Sequence, residues 1–190
     1  MSEPLRVLFV CTANICRSPV MELTARALAS QIPAAQTDDA AIEFASAGTA
    51  GFDSSPIDEE MAATLEPGPA LDASGDFRSR ELTAAHLTGA DLVLTAEAVH
   101  RSRILEEQPQ LHRRVFTLGQ FASTIDRIPD LSGRELIAEA GTRRTPPRPE
   151  DDVPDPYRRG RAAAETATGT ITAMLRTVVP RLVGPRPTER

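Results

Sequence analysis

Four short apolar runs alternate with helical patterns along the chain, and this alternation constrains the fold more than any other feature. The strand-like runs fall near residues 5–10, 42–46, 91–95 and 114–118. Helical patterns fall near 18–30, 57–65, 79–87, 97–107, 118–127 and 158–183. Leu92-Val93-Leu94 and Val115-Phe116-Thr117-Leu118 are apolar on both faces, as inner strands of a covered sheet must be. Ile171, Met174, Leu175, Val178 and Val179 mark a last amphipathic helix. The expected fold class is α/β: a central four-stranded parallel sheet with helices on both faces and a phosphate-binding loop after strand one. At 190 residues, one domain spanning 1–190 is expected.

The loop after the first strand carries the chemistry. Leu5 to Val10 reads as a buried strand, and Val20, Leu23, Ala27 and Leu28 recur at helical spacing behind it. Between them lie Cys11-Thr12-Ala13-Asn14-Ile15-Cys16-Arg17-Ser18-Pro19, a strand-to-helix turn whose backbone N–H groups and helix dipole converge on one spot. A phosphate fits such a spot. Arg17 can grip two of its oxygens in a planar fork. The positive field favours the thiolate of Cys11, and a hydrogen bond from Ser18 would steady that thiolate as attacker and as leaving group. Pro19 suits a first helical turn. Asn14 tolerates the left-handed backbone that tight turns need. Cys16 reads as a small core hydrophobe, although it lies close enough along the loop to bond Cys11 reversibly under oxidant.

A phosphoester cleaved at neutral pH also needs an acid for the departing oxygen and later a base for water. Asp151, Asp152 and Asp155 are all candidates in Asp151-Asp152-Val153-Pro154-Asp155-Pro156-Tyr157, and spacing alone does not choose among them.

The loop resembles that of the low-molecular-weight protein tyrosine phosphatases, whose motif is Cys, five residues, Arg, Ser near the N-terminus. Asp155-Pro156-Tyr157 is similar to the Asp-Pro-aromatic triplet that this family carries late in the chain. The resemblance covers about residues 5–128 and 152–182 and implies Cys11 as nucleophile, Arg17 as phosphate ligand and Asp155 as acid, then base. It implies a substrate-binding set of Thr12, Ala13, Asn14, Ile15, Cys16, Ser18, Phe52 and Tyr157. Ser46, in Ala45-Ser46-Ala47-Gly48-Thr49, would support the strained turn at Asn14. In three places the chain departs from the family pattern. Ala13 stands where glycine is frequent, Phe77 replaces a histidine of the network behind the loop, and Phe52 falls near a rim position often held by tryptophan. Ile15 gives an apolar wall where relatives that prefer phosphoarginine have threonine.

The implied activity is hydrolysis of protein phosphotyrosine through a phosphocysteine, with a tyrosine-phosphorylated protein as partner and no metal or cofactor. The alternatives are arsenate reduction with a low-molecular-weight thiol and a binding module that holds phosphotyrosine without turnover. Thioredoxin-coupled arsenate reduction would need two further cysteines, and the chain has only Cys11 and Cys16.

A net charge of −6 argues against general affinity for nucleic acid or anionic membranes. With neither a long apolar span nor a signal peptide, the expected location is the cytoplasm. Every basic residue other than histidine is arginine, which excludes a Gly-Lys-Ser/Thr phosphate loop and fits GC-rich bacterial coding. His86, His100 and His112 are far apart with no paired cysteine spacing, so each reads as a surface or helix-end histidine. Residues 129–151 look like an insertion before the acid. They comprise a short helix over Leu131–Ala140 capped by Ser132, then an Arg- and Pro-rich stretch expected to be a solvated linker. Arg143, Arg144 and Arg148 could alternatively recruit an acidic phosphoprotein.

Overall fold

The computed structural model describes residues 3–33, 41–51 and 53–184. Four parallel strands, β1 (Leu5–Cys11), β2 (Ile42–Gly48), β3 (Leu92–Thr95) and β4 (Val115–Thr117), form one sheet in the order β2-β1-β3-β4. The helices are α1 (Arg17–Ser30), α2 (Glu59–Ala62), α3 (Pro69–Ser74), α4 (Ala84–Gly89), α5 (Ala98–Glu107), α6 (Leu118–Ile125), α7 (Gly133–Arg143) and α8 (Arg161–Val183).

Strand periodicity sends alternate residues to opposite faces, and each face has its own core. Val7, Phe9, Cys11, Leu92, Leu94 and Phe116 join the larger core with residues of α1, α6, α7 and α8. Leu8, Val10, Val93 and Val115 pack with Leu87 of α4 and Ile104 of α5 in the smaller one. On the larger side Phe9 stacks on Phe44 with ring centres 6.0 Å apart, and Phe121 meets Phe116 edge-on at 5.2 Å. Full burial of each such ring contributes on the order of 1.5–3 kcal/mol. The chain leaves β1 for β2 on one side and crosses to β3 on the other. The carboxyl end of β1 is therefore the crevice where ligands bind in open α/β sheets.

Several element boundaries differ from those expected. The helix expected over 79–87 begins only at Ala84, where Thr83 and His86 form a reciprocal cap. The residues before it run beside the end of β2, with Gly48 donating to the Arg80 carbonyl at 2.9 Å and Leu82 donating to that of Gly48 at 2.8 Å. The pattern over 57–65 yields only Glu59–Ala62, capped by Asp58, and α3 was not anticipated. The last helix starts at Arg161, because Gly160 turns the chain at φ 78°.

Within residues 129–151 the helical part is packed and not solvated, while the Arg- and Pro-rich stretch over 144–150 is exposed or half-buried. Leu136 and Ala140 of α7 are fully buried against α6 and α8, and Ser132 makes no side-chain cap. The three arginines already have partners within the chain, although Arg143 and Arg148 remain exposed. Arg143 pairs with Glu139, Arg144 lies 4.9 Å over the Phe116 ring and donates to the Val115 carbonyl, and Arg148 pairs with Asp151 and Glu150. Apolar spacing within the helix, not the composition of the stretch, decided its burial.

Candidate active site

The turn from β1 into α1 is held open by bonds to its outer side. The carbonyls of Cys11, Thr12 and Ile15 accept from the N–H groups of Thr49, Ala50 and Asp58 at 2.8–2.9 Å. Among the described residues, no backbone N–H from Thr12 to Cys16 donates to the protein, which leaves a row of amides for an anion. Gly48 makes the outer packing feasible, since a Cβ there would meet the Thr12 carbonyl oxygen at 2.7 Å.

Asn14 takes the left-handed conformation at φ 56°, and its fully buried amide is bonded on both ends. Its Nδ2 donates to Ser18 at 2.9 Å and to Ser46 at 2.8 Å, and its Oδ1 accepts from the Arg80 N–H at 2.8 Å. Ser46 in turn donates to Glu22 at 2.6 Å, and the buried Glu22 carboxylate is paired with Arg26 and Arg80. This network answers the two departures from the family pattern within the described residues. Phe77 lies in the core while Glu22 and Arg80 complete the hydrogen bonding, and Ala13 needs no positive φ, so its methyl group is accommodated. Phe52 lies outside the described residues.

The Ser18 hydroxyl oxygen accepts from Asn14, which leaves its proton for the Cys11 sulfur, 3.0 Å away. Arg17 is only 2% exposed, so its charge requires partners. Nη1 donates to Glu97 at 2.5 Å and to the Val153 carbonyl at 2.9 Å, and Nη2 lies 3.3 Å from Asp155. Its buried Nε has no partner, as expected of a fork meant to hold an oxyanion.

Cys11, Thr12, Ala13, Ile15, Cys16, Arg17, Asp155 and Tyr157 line one cavity of about 170 Å³. Asn14 and Ser18 were expected in this set, but their side chains are behind the loop in the network just described. The three carboxylates that sequence left open are separated by their partners. Asp151 is buried on Arg148, Asp152 accepts from the Ala98 N–H at 2.8 Å at the start of α5, and only Asp155 reaches the cavity. Cys16 is a core residue as well as a cavity wall. Burial, with Asp58 and Cys11 nearby, pushes its thiol up to about 12.

Glu97 and His100 were missed. His100 is a helix-end histidine, as one of the two expectations had it, but not a surface one: it is 4% exposed, with Nε2 2.9 Å from the Thr12 hydroxyl. Burial, then the Arg17 charge, lowers its pKa to about 4. A carboxylate and a histidine spaced i, i+3 just past β3, at the ligand-binding edge of the sheet, were the available signal. Among the described residues, no group of three or more His, Cys, Asp or Glu side chains could hold a metal ion.

A thiol and an arginine in an amide-lined strand-to-helix turn, faced by a carboxyl group, define a cysteine-dependent phosphatase site. Residues 6–130 match the family model for low molecular weight phosphotyrosine protein phosphatase, and the chain belongs to that family. It is accordingly a cysteine-dependent protein phosphatase. The chain is 36% identical over 124 residues to low molecular weight protein-tyrosine phosphatase A of Mycobacterium tuberculosis, covering 64% of this chain and 69% of that one. It is 32% identical over 125 residues to a protein-arginine-phosphatase of Geobacillus stearothermophilus, covering 65% and 75%. The solved low molecular weight protein tyrosine phosphatase from T. tengcongensis superimposes with a TM-score of 0.68 at 27% identity, covering 92% of this chain and 97% of that one. No described helix is long and apolar enough to cross a membrane.

Proposed function

We propose that the chain hydrolyses phosphotyrosine in proteins, with Cys11 as nucleophile, Arg17 as phosphate ligand and Asp155 as acid and then base. The observation that carries this reading is the meeting of Cys11, Arg17 and Asp155 around one small cavity walled by Ile15 and Tyr157. The Cys11 thiolate attacks phosphorus while the three outer oxygens are held by Arg17 and the loop amides. The P–O bond to the phenol breaks in line, and Asp155 protonates the departing oxygen. Water then attacks the phosphocysteine, giving its proton to Asp155, and Cys11 leaves as a thiolate accepting from Ser18. Glu97 is outside this proton traffic, since its carboxylate is taken up by Arg17.

The apolar wall supports a phenyl ring over a guanidino group, since Ile15 offers neither charge nor hydrogen bond. Phosphotyrosine, phosphoserine and phosphoarginine peptides, assayed without metal on wild type and Cys11→Ser, test this. Turnover that depends on Cys11 and favours phosphotyrosine is the expected result. Preference for phosphoarginine would overturn the substrate assignment, and tight phosphopeptide binding without turnover would make the chain a binding module. The cytoplasm is the compartment proposed for this activity.

A further inference from the structure

The histidine beneath the loop has no part in the chemistry just described, yet it is among the most enclosed polar groups near it. His100 sits on the first turn of α5, which begins where β3 ends beside β1. Ala96 donates to the Val10 carbonyl at 2.8 Å, so the start of this segment is registered on the strand that delivers the nucleophile. From there the His100 Nε2 reaches the Thr12 hydroxyl at 2.9 Å. Thr12 is thus held from two directions, its carbonyl by the Ala50 N–H at 2.8 Å from the β2 side and its hydroxyl by His100 from the α5 side.

We propose that His100 is a positioning residue, which fixes the first amide of the phosphate loop by clamping the Thr12 side chain. The inference rests on reading that loop as the phosphate site. The bond forms with either neutral tautomer, because the Thr12 hydroxyl can donate or accept. Burial keeps the ring neutral first, and of the groups facing it Arg17 acts the same way against the pull of two carboxylates. Arg17 opposes a second positive charge, Glu97 lies 3.9 Å from Nε2 but is already bonded to Arg17, Asp155 acts from farther off, and Nδ1 is buried without a hydrogen-bond partner. A neutral ring leaves the positive charge of the site to Arg17, whose fork is aimed at the anion. Without the clamp, the peptide that carries the Thr12 N–H is restrained only through the Cys11 carbonyl, which accepts from Thr49 at 2.9 Å, and its tilt towards the phosphate is less firmly set.

Competitive inhibition by inorganic phosphate and hydrolysis of an aryl phosphate, measured on full-length wild type, His100→Ala, His100→Gln and Thr12→Val, test the clamp. His100→Ala should raise the phosphate inhibition constant and KM by about five- to tenfold, the size of one hydrogen bond. Glutamine can place an amide group near the lost Nε2 and should recover most of the loss. Thr12→Val should reproduce the alanine effect, and the double variant should be no worse than either single one. Thr12→Ser, which keeps the hydroxyl, should lose less phosphate affinity than Thr12→Val. An unchanged phosphate inhibition constant in a folded His100→Ala, or losses that multiply in the double variant, would overturn the proposal. If the alanine variant does not fold, Thr12→Val with wild-type phosphate affinity overturns it equally. Wild type that neither turns over the ester nor binds phosphate would instead bring down the reading of the loop itself.

Discussion

The buried Arg17 and the half-buried Glu97 pair at 2.5 Å, with the guanidinium donating through Nη1 and leaving Nε unpartnered. The pair sets the angle of the fork. Nη1 is taken up on the protein side, by Glu97 and by the Val153 carbonyl, so Nε and Nη2 are the donors that remain for an oxyanion.

Replacing Glu97 with alanine should therefore cost more than replacing it with glutamine, which still accepts from Nη1. The expected loss in kcat/KM for an aryl phosphate is about tenfold or more for alanine, because a buried guanidinium is left without its anchor. Steady-state kinetics on the two variants check this. Equal losses would show that the charge of Glu97 matters and its hydrogen bond does not.

Asp155→Ala should separate substrates by leaving group. For phenyl phosphate, whose phenol needs a proton, kcat/KM should fall about 100-fold, and for p-nitrophenyl phosphate much less. Reading kcat/KM confines the comparison to steps up to phenol release and excludes the later hydrolysis, the step in which Asp155 is proposed to act on water. Parallel losses for both esters would remove Asp155 from the acid role.

A methyl group at Gly48 would overlap the loop backbone at Thr12, Ala13 and Asn14, with approaches of 2.7–2.9 Å. Backbone cannot swing aside as a flexible side chain can, so Gly48→Ala should lower stability by about 1–3 kcal/mol and depress phosphatase activity. Thermal unfolding and turnover measured on the same sample check both.

Acid should destabilise the fold through His100. Its pKa falls from 6.5 to about 4 on folding, so between these values the unfolded chain binds more protons than the native one. Stability then rises with pH across this window: the contribution is complete above about 6.5 and is lost as pH falls towards 4. The shift corresponds to about 3 kcal/mol at most. Denaturant titrations at pH 4.5 and 7.5 should show the difference, and His100→Gln should flatten it.

The two cysteines should differ in reactivity. With its thiol pushed up to about 12 by burial and by Asp58, Cys16 stays protonated at neutral pH, whereas the Cys11 sulfur faces Ser18 and the cavity. Iodoacetamide at pH 7 followed by peptide mapping should find Cys11 alkylated first, and inorganic phosphate should protect it. Modification of Cys16 at the same rate would contradict this.

The strand, the loop and α1 were legible in the sequence because they are contiguous, and each residue type there has one physical use. A thiol before a helix start, an arginine inside it and an apolar run ahead of it leave few alternatives. Asp155 was legible only by resemblance, since the carboxylates at 151, 152 and 155 differ in what they touch and not in what they are. Glu22, Arg80, Glu97 and His100 were not legible. Charged side chains on helices usually face solvent, and the packing of α1 and α5 turns Glu22 and His100 inward, while Glu97 at the start of α5 and the half-exposed Arg80 outside any helix are placed by the charges they meet. The helix at Gly133–Arg143 was half read: its period was visible, but the Arg- and Pro-rich stretch after it suggested solvent.

Val153 is bonded on both sides, its N–H to the Ala96 carbonyl at 2.8 Å and its own carbonyl to Arg17 across 136 residues of chain. Seating the arginine and delivering the acid are consequently one folding event. A nascent chain that has left the ribosome only as far as α7 holds the nucleophile but neither the strap nor the carboxyl group. The proposed chemistry therefore needs residues on both sides of α7, separated by most of the chain.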